Sequence, residues 1–219
     1  MLYYHILNFL NKLRLKINYT IAIFFILWYH FAIGQSNPYQ LVDLTKYIPH
    51  IRLDIRYATS NNFTHQVLYS KAAAYLKLPA AKALKEVQEE LEQRGLGLLV
   101  YDGYRPFSVT EKMWEIVPDE RYAANPAKGS GHNRGIAVDL TLCDLKTGKP
   151  LAMPTDFDDF TEKAHQAYPV QDSLVANNRK LLRDVMEKHG FVNLTTEWWH
   201  FYLKDGQEYP IMNIQFQKL

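Results

Sequence analysis

The sequence predicts an α+β fold, in which a small mixed or antiparallel sheet is flanked by helices. Helical and β-type segments are mixed along the chain without the strict strand–helix–strand alternation of a doubly wound parallel sheet. With 47% hydrophobic and 22% charged residues among 219, the composition is that of a globular protein and excludes disorder, coiled coil and collagen. No repeat or low-complexity stretch interrupts residues 35–219, which are therefore expected to form one domain.

Three helices are predicted from apolar periodicity and from residues that begin or end helices. They cover residues 79–94, 108–117 and 178–189. Pro79 suits a first turn, and Gly95 and Gly190 follow the ends of the first and third helices. Ser108 is expected to cap the second helix, with Glu111 as its capping-box partner.

Three strands are predicted from short apolar or β-branched runs. They cover residues 96–101, 136–142 and 195–203. The first run is followed by Asp102 and Gly103, which is typical of a buried strand entering a turn. The last is rich in aromatic residues.

Polar residues that are able to bind a metal ion or take part in catalysis lie in or beside two of these strands. His132 lies in a glycine-rich turn, and Asp139 follows on a strand that is otherwise apolar. A buried carboxylate there is costly unless a cation neutralises it, so His132 and Asp139 are expected to meet on one metal ion. Glu197 and His200 interrupt the aromatic strand in the same way. Because residues three apart face opposite sides of a regular strand, Glu197 is expected at the strand entry or beside a bulge.

These residues form the pattern of a catalytic zinc site. Two histidines and one aspartate leave a fourth position open for water, and Glu197 is suited to act as the general base. Arg105 follows the first buried strand and is suited either to bind a carboxylate or developing oxyanion, or to form a structural ion pair with Asp102.

Three segments, SGHNRGIAVD (130–139), EWWH (197–200) and DGYRP (102–106), together resemble the zinc D-alanyl-D-alanine dipeptidases, the group that contains the vancomycin-resistance dipeptidase. The resemblance continues in residues 54–64 and in the region of residues 157–158 and 209–210. It implies an α+β fold shared in outline with metal D,D-carboxypeptidases and the hedgehog signalling domain.

The resemblance also implies a role for each matching residue. One zinc ion per chain would be held by His132, Asp139 and His200, with Glu197 as base and proton shuttle and Arg105 stabilising the tetrahedral intermediate. The free amino terminus of the substrate would be recognised by Tyr57, Ser130 and Asp158. The implied reaction is hydrolysis of the dipeptide D-Ala-D-Ala to two D-alanines.

Two other functions remain open at this point. A zinc D,D- or L,D-carboxypeptidase that trims peptidoglycan stem peptides would share the zinc chemistry, but a site that binds a free ammonium through Asp158 and Tyr57 excludes a longer stem. A non-catalytic zinc-containing binding domain would need neither Glu197 nor Arg105.

Residues 1–34 have the order of a secretory signal peptide. Lys12, Arg14 and Lys16 precede an apolar segment, and Ala32 and Gly34 precede a cleavage position at Gln35. An uncleaved membrane anchor is the alternative. Either places the domain outside the inner membrane, in the periplasm or extracellular space.

Charge and cysteine content exclude other functions. The first 34 residues hold three of the 25 basic residues and none of the 23 acidic ones, so the remainder has a formal charge of −1 and offers no basic surface for nucleic acid. The single cysteine, Cys143, excludes an intramolecular disulfide and a multi-cysteine zinc site. The sequence indicates no oligomeric state.

Overall fold

The computed structural model describes residue 37 and residues 39–219. The predicted signal segment, residues 1–34, lies outside the described residues. Within the described part of the chain, no helix combines the length and the apolar character that crossing a membrane requires.

The fold is α+β, as predicted. The strands are β1 (Leu41–Asp43), β2 (Arg52–Leu53), β3 (Tyr75–Lys77), β4 (Leu96–Asp102), β5 (Ala137–Asp144), β6 (Phe191–Leu194) and β7 (Glu197–Leu203). The α-helices are α1 (Leu44–Tyr47), α2 (Leu78–Glu92), α3 (Phe107–Ile116), α4 (Gly131–Arg134) and α5 (Ser173–Lys188). A mixed five-stranded sheet has the order β2-β4-β5-β7-β6, with β2 parallel to β4 and the other pairs antiparallel, and β1 pairs with β3 in a separate two-stranded sheet.

The long helices α2 and α5 follow the predicted segments with one difference. In α2, Pro79 lies in the first turn and Gly95 follows the end with a φ of 71°, which favours glycine. Helix α5 begins at Ser173, five residues before the predicted start, because the Asp172 side chain accepts hydrogen bonds from the backbone N–H groups of Leu174 and Val175.

The capping prediction for α3 is wrong. This helix begins at Phe107, so Ser108 lies inside its first turn and caps nothing. Two N–H groups of that turn, which have no acceptor within the helix, donate to the C-terminal segment. Phe107 N–H donates to the Met212 carbonyl at 3.1 Å, and Ser108 N–H donates to Asn213 Oδ1 at 3.0 Å. Acceptors that are distant in sequence therefore replace the expected local capping box.

The register of the central strands brings three polar residues side by side. Asp139 of β5 pairs with His200 of β7 on one side. On the other side, a shift in register after Val100 sets Asp102 of β4 opposite the same Asp139. The rest of the sheet is packed with apolar side chains, including Trp198 and Trp199, which are almost completely buried. The sheet thus holds a polar cluster inside a hydrophobic core.

Candidate active site

His132 is carried by a one-turn helix and not by an open turn. Helix α4 begins after Ser130, whose side chain forms a reciprocal capping box with Asn133, and it ends at Gly135, which has a φ of 71°. A Cβ atom at Gly131 would lie 2.9 Å from the Cβ of Ala137, so only glycine allows the helix to pack so closely against β5. This close packing directs His132 toward the polar cluster on the sheet.

His132, Asp139 and His200 form a compact candidate metal centre, in which all ligand atoms lie within 4.8 Å of one another. His132 Nε2 lies 3.2 Å from His200 Nδ1 and 3.3 Å from Asp139 Oδ2, and His200 Nδ1 lies 2.9 Å from Asp139 Oδ1. Ligands at zinc bond lengths in a tetrahedron would be about 3.3 Å apart. The donor set and its spacing therefore fit a zinc ion.

The surroundings of the cluster fix the orientation of its ligands. His132 Nδ1 lies 2.8 Å from the Gly103 carbonyl, so this nitrogen carries the proton and Nε2 presents its lone pair to the cluster. Burial by itself would raise the pKa of Asp139, but His132 and His200 lower it below its usual range. The two histidines therefore favour the anionic form of Asp139, which is the form that can bind a metal ion.

Arg105 forms the ion pair that the sequence offered as one of two interpretations. Its Nε and Nη2 donate to Asp102 Oδ2 at 3.0 and 2.7 Å, and its guanidinium lies 5.1 Å from the centre of the Tyr57 ring. Asp102 is fixed in turn by the Tyr69 hydroxyl, which donates to Oδ1 at 2.7 Å. The guanidinium also borders the cavity above the metal centre, so the ion pair holds it in position without removing it from the site.

Glu197 is the first residue of β7, opposite Leu194 and at a shift in the register between β6 and β7. The expectation that it lies at the strand entry or beside a bulge is confirmed. Burial raises the pKa of Glu197 to about 7, with Asp139 and Asp158 adding to the rise and with His200 and Arg105 opposing it. A carboxyl group that titrates near neutrality can both accept and donate a proton.

Asp158 faces the same cavity from a loop. The Tyr57 hydroxyl donates to its Oδ1 at 3.2 Å, whereas its Oδ2 is buried and has no hydrogen-bond partner among the described residues. Its φ of 62° is unusual for a residue with a side chain, and such backbone conformations concentrate at functional sites. Burial, together with the charge of Asp139, raises the pKa of Asp158 to about 7.

Ser130 borders the cavity too, but its side chain has structural partners. Its hydroxyl donates to Asn133 Oδ1 at 3.1 Å and accepts from the Asn133 N–H at 3.2 Å. An unused lone pair on the oxygen remains available to a ligand.

One cavity of about 210 Å³ brings all of the predicted site residues together. The eight are Tyr57, Arg105, Ser130, His132, Asp139, Asp158, Glu197 and His200. The sequence interpretation missed other residues of the wall, namely Glu120, Arg121, Tyr122, Phe160, Leu194 and Trp199. Glu120 and Arg121 belong to a run of charged residues, 119–121, in the loop that closes one side of the cavity.

The buried His132, the partly buried His200 and the carboxylate of Asp139, beside a second carboxyl group of raised pKa, form the pattern of a metal-dependent hydrolase site. Residues 37–219 match the model of the Peptidase_M15 family, described as D-ala-D-ala dipeptidase. The chain therefore belongs to this family of peptidases.

Curated relatives agree with the family assignment. The D-alanyl-D-alanine dipeptidase of Escherichia coli K12 is 36% identical over 182 residues, which cover 83% of this chain and 94% of the relative. The enzyme of the same name from Enterococcus faecalis V583 is 34% identical and covers 73% of this chain and 89% of its own length. Among solved structures, the LD-carboxypeptidase LdcB aligns with 85% of this chain and 81% of its own at 18% identity and a TM-score of 0.45, which is too distant to bear on activity.

Proposed function

We propose that the protein is an exported zinc dipeptidase that hydrolyses D-Ala-D-Ala to two D-alanines. The observation that carries this proposal is the unpartnered, buried Oδ2 of Asp158, which lies in the same small cavity as the metal centre and Glu197. It offers a free ammonium group a carboxylate at a fixed place beside the reactive groups. The names of the curated relatives supply the substrate.

His132, Asp139 and His200 would hold one zinc ion per chain. Zinc bound there would polarise the scissile carbonyl and lower the pKa of water, which would allow hydrolysis at neutral pH. The hydrogen bond from His132 to the Gly103 carbonyl keeps the ligand nitrogen deprotonated and the ring in place.

Glu197 moves the proton in this mechanism. Its carboxylate accepts a proton from the attacking water, and the resulting acid delivers that proton to the nitrogen of the leaving D-alanine. A pKa near 7 suits both steps, since neither form of the side chain is strongly disfavoured at neutral pH.

Arg105 stabilises the negative charge that develops on the substrate carbonyl oxygen. Arg105 is 6% exposed and its guanidinium is already oriented by Asp102, so little reorganisation accompanies the reaction. Its planar fork allows it to keep the bonds to Asp102 while other N–H groups face the substrate.

Tyr57, Asp158 and Ser130 would receive the amino terminus of the dipeptide. The Tyr57 hydroxyl orients Asp158, and the Ser130 oxygen supplies a further acceptor. Since a stem peptide has an acylated nitrogen at the corresponding position, this end of the cavity favours a dipeptide over a carboxypeptidase substrate.

Export is proposed from the amino-terminal segment, with cleavage before Gln35. A dipeptidase outside the inner membrane has no access to the cytoplasmic dipeptide pool that feeds cell-wall synthesis. The role we propose is therefore recovery of D-alanine from D-Ala-D-Ala released from peptidoglycan. The mass of the mature protein recovered from outside the inner membrane tests this point, and a mature chain that retains residues 1–34 would favour the anchor instead.

The activity is tested with purified protein, D-Ala-D-Ala and a stem pentapeptide that ends in D-Ala-D-Ala. Release of D-alanine from the dipeptide alone, abolished by a chelator and restored by zinc, is expected. Preferential cleavage of the pentapeptide would replace the dipeptidase with a carboxypeptidase. Binding without cleavage of either would favour a non-catalytic domain.

A further inference from the structure

The carboxylate of a dipeptide needs a partner of its own, and the proposed roles above leave that partner unassigned. Of the described residues that line the cavity, the candidate metal ligands apart, the permanently cationic ones are Arg105 and Arg121. Arg105 is nearly buried, paired with Asp102 and adjacent to the metal centre. Arg121 is therefore the cation that remains for the carboxylate.

Arg121 lies on the side of the site where the proposed mechanism would place the carboxylate of a bound dipeptide. It borders both the cavity of the metal centre and a neighbouring cavity of about 630 Å³, and the residues common to both include Glu197 and Leu194. Asp158 and the metal-binding residues border the first cavity and not the second. The two cavities thus join on the side of Glu197, which delivers its proton to the leaving amine, and the C-terminal residue of the dipeptide follows that amine.

The hydrogen bonds of Arg121 to Asp119 orient its guanidinium and leave one of its nitrogens available to a ligand. Its Nε and Nη2 donate to Asp119, at 3.0 Å and 2.5 Å, and Nη1 takes no part in this pair. The guanidinium also lies 5.5 Å from the centre of the Tyr122 ring, which packs edge-on against Phe160 of the cavity wall. The two N–H groups of Nη1 therefore remain available to donate to an anion.

The acidic neighbour of Arg121 is neutralised by other groups. Glu120 borders the same cavity, but its carboxylate accepts from Lys128 Nζ at 2.8 and 2.9 Å and from Asn125 Nδ2 at 3.0 Å. Repulsion of a substrate carboxylate by Glu120 is therefore reduced. The Arg121 side chain is 77% exposed, so its contribution is expected to be moderate and sensitive to salt.

We propose that Arg121 binds the C-terminal carboxylate of the dipeptide and makes the enzyme selective for substrates that end in a free acid. This inference rests on the proposed dipeptidase function. With Asp158 at the amino end and Arg121 at the carboxyl end, the site would recognise the two opposite charges of a free dipeptide.

The test compares D-Ala-D-Ala with its C-terminal amide, D-alanyl-D-alaninamide, as substrates for the wild type, Arg121→Gln and Arg94→Gln. Arg94 is a matched control, because it is an exposed arginine that pairs with Glu90 and does not border the cavity. Arg121→Gln is expected to lower the acid-to-amide ratio of kcat/KM about tenfold, mainly through KM for the acid. Arg94→Gln is expected to keep the wild-type ratio.

Added salt provides a second readout that a purely structural role would not move. In the wild type, KM for the acid should rise with salt more steeply than KM for the amide, and Arg121→Gln should remove this difference. An unchanged ratio in Arg121→Gln, or an equal loss on both substrates, would overturn the assignment of Arg121 and leave the dipeptidase function intact. Failure of the wild type to cleave D-Ala-D-Ala would overturn both.

Discussion

Replacing Asp158 with asparagine tests the recognition of the amino terminus with little disturbance of the fold. Asparagine has nearly the same size as aspartate and tolerates the positive φ of 62° better than most residues do. It keeps an oxygen that accepts from the Tyr57 hydroxyl. What it lacks is the negative charge on the buried Oδ2, which is the group expected to meet the substrate ammonium.

The raised pKa of Asp158 sets an upper limit on the loss of substrate binding, and the strength of one hydrogen bond sets the expected value. Burial moves this pKa from its ordinary value of 3.8 to about 7. If a bound ammonium restored the ordinary value, linkage would make binding to the ionised form stronger than to the neutral form by up to about a thousandfold. A single charge-assisted hydrogen bond corresponds to about 1.5–3 kcal/mol, so we expect kcat/KM of Asp158→Asn to fall about tenfold to a hundredfold.

The raised pKa of Asp158 also determines the direction in which KM changes with pH. Below pH 7 the carboxyl group of the wild type gains a proton and loses its attraction for the ammonium, so KM should rise as the pH falls. Zinc would partly offset the charge of Asp139 and move this limb to somewhat lower pH. Asp158→Asn should have a high KM throughout and lack this limb, while kcat keeps the limb set by Glu197.

Stability provides the control for this variant. A carboxyl group whose pKa is raised by folding stabilises the protein below its ordinary pKa and loses that contribution as the pH rises through about 7. Asparagine does not ionise, so Asp158→Asn does not lose stability in this way. Its Tm at pH 8 should therefore equal or exceed that of the wild type.

The assay measures kcat and KM between pH 6 and pH 8 for D-Ala-D-Ala and for its N-acetyl derivative, with zinc content determined in parallel. Wild-type enzyme that hydrolyses the acetylated dipeptide as fast as the free one would refute the reasoning. So would an Asp158→Asn protein with full zinc and an unaltered KM.

Four further variants test the reaction centre. Glu197→Gln should retain zinc and lower kcat by about 10²–10⁴-fold, and a loss smaller than about tenfold would mean that another group is the base. His132→Ala and His200→Ala should each reduce zinc well below one ion per chain after dialysis, and full occupancy in both, by metal analysis, would contradict the ligand assignment. Arg105→Lys keeps the charge but loses the paired bonds to Asp102, so kcat should fall about tenfold to a hundredfold at constant zinc content, and wild-type kcat would exclude Arg105 from the chemical step.

Local sequence signals predicted those parts of the fold that local interactions determine. Helix α2 has a clear apolar face and residues at both ends that begin or stop a helix, and it was predicted to within two residues. The start of α5 was missed because the apolar Leu174 of its first turn is 62% exposed and does not belong to the buried face of the helix. The cap at Asp172 is the local signal for this start. The cap of α3 was mispredicted because its partners, Met212 and Asn213, lie about a hundred residues away along the chain.

The residues of the site likewise divide into those that have a local sequence signal and those that have none. His132 with Asp139, and Glu197 with His200, are close in sequence and stand out as polar residues in apolar surroundings. Tyr57 and Asp158 carry no such signal and were identified by family resemblance alone. Arg121 was missed altogether, because a charged loop is usually a solvated surface and only the tertiary structure sets this one beside the metal centre.

Four of the carboxyl groups around the site differ in their partners, and this difference suits them to different tasks. Asp102 is committed to Arg105 and Tyr69, and Asp139 is held anionic by two histidines at the candidate metal centre. Among the described residues, no cation lies within hydrogen-bonding distance of Asp158 or Glu197, and burial raises the pKa of each to about 7. These two carboxyl groups are the ones that gain most from meeting a substrate ammonium or a transferable proton. In the proposed mechanism, the fold thus supplies counter-charges to Asp102 and Asp139 and leaves Asp158 and Glu197 to interact with the substrate.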